Sequence, residues 1–559
     1  MNRTIPSLLC LCLASAVASA QETVETQIKH DVVLRALIDE LERNRSGLTL
    51  EGLERPYFIE YELVDSHSIV ITAQLGAVSS KAPFRARQMR TDVRVGSYHQ
   101  DNTNFRGGGG GGAAFDADMP IEDDYNAIRQ AIWWDTDRTY RYVVEAFAEK
   151  KAFMETKVIE DKPDDFSRET PAVFFEDRID FSLPADKLEQ TALTLTNVFR
   201  DYPHVQNSNI YVIGYHAHKY LVNTEGARLR TSHRLYSIML QAGAQADDGM
   251  PVSDSLTVHA RRFEDLPPLD ELTQECRNLA DRLLAVKRAP ALNSYTGPVL
   301  FEAEAAASLF LRHFGSRFPG GQRPVGSRSN PEDFANKINK RILPRFVHVV
   351  DDPTRDSVAG SPVMGNYLYD DQAVKAQPVT LVDAGRLKTQ VMSRNPSKEL
   401  KRSTGHGRGA NAPRAAIGCL IVTADPALNA QSLKAELLEA CQDEGLEYGI
   451  RVGAVGGAAP GARSGGEGGG SPLLLYKVFP EGREELVRGA EFARIDLKAF
   501  KRIVAMGDTP YVHNSGGPAA YTVAAPAMLF EELDLAKIDR DFDKPPILPS
   551  PVARAKSAD

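Results

Sequence analysis

From Thr26 to Arg45 apolar residues recur at Val33, Leu34, Leu37, Ile38 and Leu41 with charges between them, the spacing of a helix buried along one face. Three runs rich in β-branched and aromatic residues follow at Tyr57 to Val64, Ser68 to Val78 and Met89 to Tyr98, and these predict strands. Helical periodicity returns over Asp123 to Trp134 and Asp137 to Ile159, the second stretch carrying Tyr140, Val143, Val144, Phe147 and Phe153. Val205 to Ala260 predicts a β-meander with strands at Asn209 to Tyr215, Tyr220 to Asn223, Arg228 to Leu240 and Leu256 to Arg261, and a turn at Thr224 to Ala227. A helix over Asp270 to Val286 is stopped by Lys287, Arg288, Ala289 and Pro290, which marks the main domain boundary.

Beyond that breaker the pattern predicts a strand at Pro298 to Phe301, an Ala-rich helix at Glu302 to Phe314, a helix at Asn330 to Arg341 and a strand at Phe346 to Val350. Val379 to Val382 and Leu387 to Met392 form a predicted hairpin turning at Ala384 and Gly385. A strand at Ala416 to Val422, a helix at Ser432 to Glu444, strands at Tyr448 to Val455 and Leu473 to Phe479, a helix at Leu497 to Met506 and a strand at Tyr521 to Ala525 complete the series. The fold class is α+β: a mixed region over 21–290, then a β-rich domain over 291–540. Residues 541–559, rich in proline and small residues, are expected to be a disordered tail.

Composition adds a compartment. Arg3, the apolar stretch Ile5 to Val17 and the small residues Ala18, Ser19 and Ala20 have the form of a secretory signal over residues 1–20, cleaved after Ala20. A periplasmic or secreted protein is expected, and no later run reaches bilayer length, so no membrane span is predicted. The formal charge of −9 is spread over both signs with no basic stripe, which argues against nucleic acid as a partner. Cys276, Cys419 and Cys441 remain after cleavage, enough for one disulfide at most. Gly107 to Gly112 and the glycine-rich stretch from Gly456 to Gly470 read as loops, because no G-x-x-x-x-G-K-[ST] pattern accompanies them.

Candidate chemistry is sparse. Ser403 to Gly409 (STGHGRG) is the most polar, glycine-dense phrase of the C-terminal half; Gly405 and Gly407 would let a substrate backbone approach, with His406 and Arg408 as donors, or the phrase is a turn. His216 and His218 share one face of a strand, and His313 stands alone on a helix. The pairs Asp351-Asp352 and Asp370-Asp371 would point to opposite faces and are expected at strand ends and turns. No G-x-S-x-G elbow occurs.

The run YTGPVLFEAEAAASLFLRHFGS, Tyr295 to Ser316, together with VVDDPT, LVDAGRLKTQVMSR and STGHGRG, resembles the TldD/PmbA family of zinc metallopeptidases over most of Val32 to Leu535. The family's H-E-x-x-x-H motif then falls on this run, with the metal-ligand positions at Leu311 and Ser316 and the general-base position at Arg312, and its distal cysteine has no counterpart beyond Cys441. No histidine in the chain is followed by glutamate. The resemblance therefore implies a PmbA-like (TldE-like) subunit without catalytic or metal-binding residues of its own, with zinc only in a TldD-type partner carrying H-E-x-x-x-H, and an unfolded peptide as substrate. Two alternatives stay open: a peptidase with a rearranged metal site around His313 or His406, and a stand-alone peptide-binding or scaffold protein.

Overall fold

The computed structural model describes residues 25–105, 117–157, 161–327, 334–410, 412–455, 472–517, 519–539 and 541–555. Residues 1–20, the expected signal segment, and both glycine stretches lie outside them. Helix α1 (Val32–Gly47) starts at Asp31, whose carboxylate accepts from the Leu34 amide at 3.0 Å. Strands β1 (Pro56–Gln74) and β2 (Ala77–Val95) form one long hairpin. Leu75 and Gly76 both take positive φ, 49° and 72°, the primed two-residue turn that matches strand twist. The sequence had suggested three shorter strands. The polar stretch Asp65-Ser66-His67 looked like a break, yet it continues β1 because Arg87 neutralises Asp65 across the hairpin at 2.7 Å.

The same reason merges two predicted helices into α2 (Tyr125–Glu155). Asp135 and Thr136 are buried at the expected break, Asp135 accepting from Thr91 Oγ1 at 2.6 Å and Thr136 from the Tyr61 hydroxyl at 2.9 Å. Helix α3 (Ala185–Asn197) was not foreseen. Strands β3 (Asn207–Asn223), β4 (Arg228–Gln245) and β5 (Pro251–Ala260) and helix α4 (Leu269–Arg288) finish this half. The two predicted runs around His216 are one strand. His216 Nδ1–H donates to Asp180 O at 2.8 Å and its Nε2 accepts from the Tyr236 hydroxyl at 2.9 Å, while His218 Nε2 accepts from the Ile179 amide at 2.9 Å. In the sheet β2, β1, β3, β4 and β5 lie side by side. All four helices cover one face: α1 and α2 pack on Ile59, Tyr61 and Leu63, and α3 and α4 on Ile69, Ile71, Val212 and Ile238.

The chain enters a second sheet after Arg288. It contains β6 (Ser294–Phe301), β7 (Val347–Asp351), β8 (Val379–Asp383), β9 (Cys419–Ala424), β10 (Gly449–Val455), β11 (Pro472–Val478), β12 (Glu484–Val487), β13 (Ile503–Ser515) and β14 (Tyr521–Lys537). The order is β8-β7-β9-β14-β6-β10-β11-β12, with β13 also on β14; β9 runs parallel to β14 and β10 parallel to β6. Helix α5 (Ala303–Phe314) packs Phe310 and Phe314 into a core with Phe301, Phe500 and Phe530. The mixed first half and β-rich second half are the expected α+β arrangement.

Two local expectations of a helix fail. Among the described residues of Asn330 to Arg341 only a 3-10 turn, Ala335–Lys337, forms. The helix at Leu497 stops at Lys501, because Ile503 pairs with Phe530 and the following residues join the sheet. In the expected disordered tail, Pro551–Ala555 forms a helical turn. Cys276, Cys419 and Cys441 are buried free thiols. No helix among the described residues is long and apolar enough to cross a membrane.

Arg394 fastens the second half to the first. It holds both carboxylate oxygens of Glu225, at 2.7 and 2.8 Å, and donates to Ser167 O. Phe166 is sandwiched between the Arg394 and Arg94 guanidinium groups, 3.8 and 3.7 Å from its ring centre.

Candidate functional site

The face of the first sheet that carries no helix looks across at the second half. Side chains alternate along a strand, so Glu62, Val64 and Ser66 of β1 and Ala217, Lys219 and Leu221 of β3 point there together. The segments around 353–371 and 408–410 close over them and leave a cavity of about 610 Å³. Its walls are apolar at Leu229, Leu235, Met364 and Tyr367 and charged on the floor.

That floor is a continuous ion-pair chain. Arg90 reaches Glu60 at 3.1 Å and also Glu62; Lys219 Nζ bridges Glu62 at 2.5 Å and Asp371 at 2.7 Å. Asp371 also accepts from the Gly409 amide at 2.7 Å and lies 3.7 Å from Arg408 Nε. Its partner in sequence, Asp370, accepts from the amides of Gly407, Gln372 and Val374 at 2.7, 3.0 and 2.8 Å. The acid pair does not sit idly at a turn: together the two carboxylates anchor the glycine-rich loop. Burial opposes ionisation of Asp371, but the Lys219 and Arg408 charges outweigh it and hold its pKa below the ordinary carboxylate value. Asp370 is pushed by burial up to about 6.

Glu60 shows how this floor responds to pH. Burial raises its carboxyl to about 7, with Arg90 opposing. A carboxyl raised in the folded state stabilises the fold while protonated, fully below its unfolded value near 4.5, and that contribution is lost as pH rises through about 7. Glu60→Gln mimics the protonated form. Chemical denaturation is expected to show the variant gaining on the wild type by roughly 1–3 kcal/mol between pH 5 and pH 8. A gap independent of pH would contradict the shift.

The four residues nominated in the glycine-rich loop separate into two roles. Gly405 and Gly407 are buried and sterically fixed: a Cβ at Gly405 (φ +73°) would stand 2.2 Å from Lys375 O, and one at Gly407 2.3 Å from Gln372 Oε1. His406 is fully buried, donates through Nδ1–H to Thr404 O at 2.9 Å and places Nε2 3.4 Å from Asp351. It supports the loop from beneath and does not reach the cavity. Arg408 does line the cavity, its guanidinium 4.2 Å over the Tyr367 ring. Asp351 accepts from the amides of Gly418 and Cys419, the latter at 2.9 Å. The sequence reading passed over Glu62, Arg90, Lys219 and His233. Their only local signal is charge alternating with core residues along a strand, which ordinarily marks a solvated face. His233 is exposed to the cavity, whose enclosure, then the Lys219 charge, lowers its imidazole to about 4.

Residues 294–537 match the PmbA/TldA metallopeptidase C-terminal domain, and the whole described fold is similar to TldE from Thermococcus kodakarensis, with a TM-score of 0.58 at 14% identity over 86% of this chain and 97% of that one. Over residues 294–537 the chain belongs to the TldD/PmbA family. A Thermotoga maritima protein named as a candidate modulator of a DNA gyrase shares the fold to the same extent, with a TM-score of 0.58 at 15% identity over 86% of this chain and 96% of its own. A metalloprotease of Methanocaldococcus jannaschii is 33% identical over 87 residues, 15% of this chain, and the match spans 18% of that protein.

The resemblance to the TldD/PmbA family singled out three positions on and beyond α5, occupied by Leu311, Arg312 and Ser316. Leu311 is a half-buried apolar residue of the core edge, and Arg312 and Ser316 are exposed. His313 is buried, its ring 5.1 Å from that of Phe500, and burial followed by the Arg317 and Arg312 charges lowers it to about 4. An imidazole beside two arginines does not by itself fit zinc, which takes three or four protein ligands. Among the described residues no three or more His, Cys, Asp or Glu side chains are grouped to hold a metal ion.

Proposed function

We propose that this TldD/PmbA-family chain is the non-metal-binding subunit of a heteromeric peptidase, secreted to the periplasm by its leader, which holds an unfolded peptide for a TldD-type subunit carrying H-E-x-x-x-H and zinc. The observation that carries this is the pairing of an unfit metal position on α5 with a formed, charged cavity between the two halves. A cavity of about 610 Å³ accommodates a short peptide segment, and its mix of apolar wall and a few convergent polar groups is that of a binding site. Arg408 and the backbone of its loop face such a segment; Gly405, His406 and Gly407 fix the loop from behind. Similarity in fold to TldE favours the supporting role over a lone peptidase.

Zinc quantification on the purified chain, followed by size-exclusion chromatography with a TldD-type protein, tests the proposal. The lone chain is expected to hold far less than one zinc, and the mixture to elute as a complex containing both chains. One tightly bound zinc in the lone chain would overturn it in favour of a rearranged metal site, and failure to associate would favour a stand-alone binding protein.

A further inference from the structure

The charges around the cavity do not all cancel. Glu62 is matched by Arg90 and Lys219, Asp371 by Lys219 and the Gly409 amide, and Asp370 by three backbone amides. Glu176 accepts from the Ser232 amide at 2.7 Å, and Asp356 from Asn366 Nδ2 at 3.0 Å. Each carboxylate on the lining therefore already has a donor. Arg261, immediately after β5, is different. Its Nη2 donates to the neutral acceptors Met364 O and Asn366 O, both at 3.3 Å, and to Asn366 Oδ1. Among the described residues no carboxylate stands within ion-pairing distance of it. Asp356 and Glu176 act on it from farther away and Arg408 repels it, while enclosure lowers its pKa.

Keeping a guanidinium in an enclosed cleft without a counter-ion is costly, and its planar fork matches a carboxylate or a phosphate, of which a peptide brings the carboxylate. Arg408 lies on the same lining, and His233, neutral near pH 7 and 3.0 Å from Thr231 Oγ1, adds a polar atom beside them. Apolar surface from Leu235 and Met364 flanks the position. We propose that Arg261, assisted by Arg408, is the carboxylate-recognition point of the cavity, so that the chain binds peptides through a free C-terminal carboxylate or an acidic side chain. This rests on the cavity being a peptide site, and it adds a chemical preference that the fold alone does not supply.

Fluorescence polarisation on the full chain tests it with three labelled peptides of one neutral sequence: the free acid, the C-terminal amide, and the amide with an internal glutamate. At low salt at least one carboxylate-bearing form is expected to bind about tenfold or more tighter than the neutral amide. Which form gains identifies the source of the carboxylate. Arg261→Gln is expected to remove that preference, so that the three peptides bind alike, with far-ultraviolet circular dichroism showing that the variant is folded; Arg261→Lys keeps the charge without the fork and should restore part of it. Equal binding of all three peptides by the wild type overturns the carboxylate point and leaves the peptide site standing, as does a preference that survives in Arg261→Gln. Binding of none of the three overturns both.

Discussion

Lys219→Met is expected to lower the free energy of unfolding by about 3–5 kcal/mol, the cost of removing one partner from a buried charge network. Lys219 Nζ stands between Glu62 of the first sheet and Asp371 of the second half, at 2.5 and 2.7 Å, with most of its side chain covered. The methionine keeps the apolar stem and removes the charge, so two carboxylates from opposite halves face one another with only Arg90 and Arg408 to offset them. The loss should therefore appear first as a loosening between halves. Urea unfolding followed by near-ultraviolet circular dichroism is the measurement, with the midpoint falling in proportion. Adding Asp371→Asn should recover part of the loss, because the two substitutions act on one network and do not add. A single-variant change below about 1 kcal/mol, the range of an exposed pair, would mean that water reaches the floor and screens it.

Gly405→Ala should cost about 2–5 kcal/mol, from backbone strain at positive φ together with overpacking. The added Cβ meets the Lys375 carbonyl oxygen at 2.2 Å and the Lys375 carbonyl carbon at 2.7 Å, and backbone cannot swing aside as a side chain does. Relief requires the whole loop to shift, which lengthens the amide contacts of Gly407 to Asp370 and of Gly409 to Asp371 and withdraws Arg408 from the cavity wall. Thermal unfolding reads the stability, and peptide affinity reads the displaced loop. Gly360→Ala is the control: it too has positive φ, 81°, but its Cβ meets nothing within 4 Å, so it carries the strain without the clash.

Helical periods were the most legible part of this fold. Val33 to Leu41 and the amphipathic α4 declare their buried faces in three- and four-residue steps, and both formed where that spacing put them. Strand lengths were harder to read, because Asp65, His216 and His218 interrupt the apolar pattern while being paired inside the protein. Local sequence shows a polar residue but not the partner that makes its burial acceptable. The site divides along the same line. Glycine density in Ser403 to Gly409 pointed to a loop open to a substrate backbone, or to a turn; the atoms that come close to Gly405 and Gly407 are the protein's own, from Lys375 and Gln372. Which of His406 and Arg408 faces the cavity depends on Asp351 and Tyr367, far away in sequence. The floor was illegible for a similar reason. Glu62, Lys219 and Asp371 come from three distant segments, and nothing near any of them announces the other two.

Peptide hydrolysis, with bound zinc measured on the same samples, bears most directly on the supporting role. The purified chain supplied with zinc should leave an unstructured peptide intact, and the same chain mixed with a TldD-type subunit carrying H-E-x-x-x-H should cleave it, with the zinc found in that subunit. Cleavage by the lone chain, accompanied by one bound zinc per molecule, would contradict the supporting role and make this protein a peptidase in its own right.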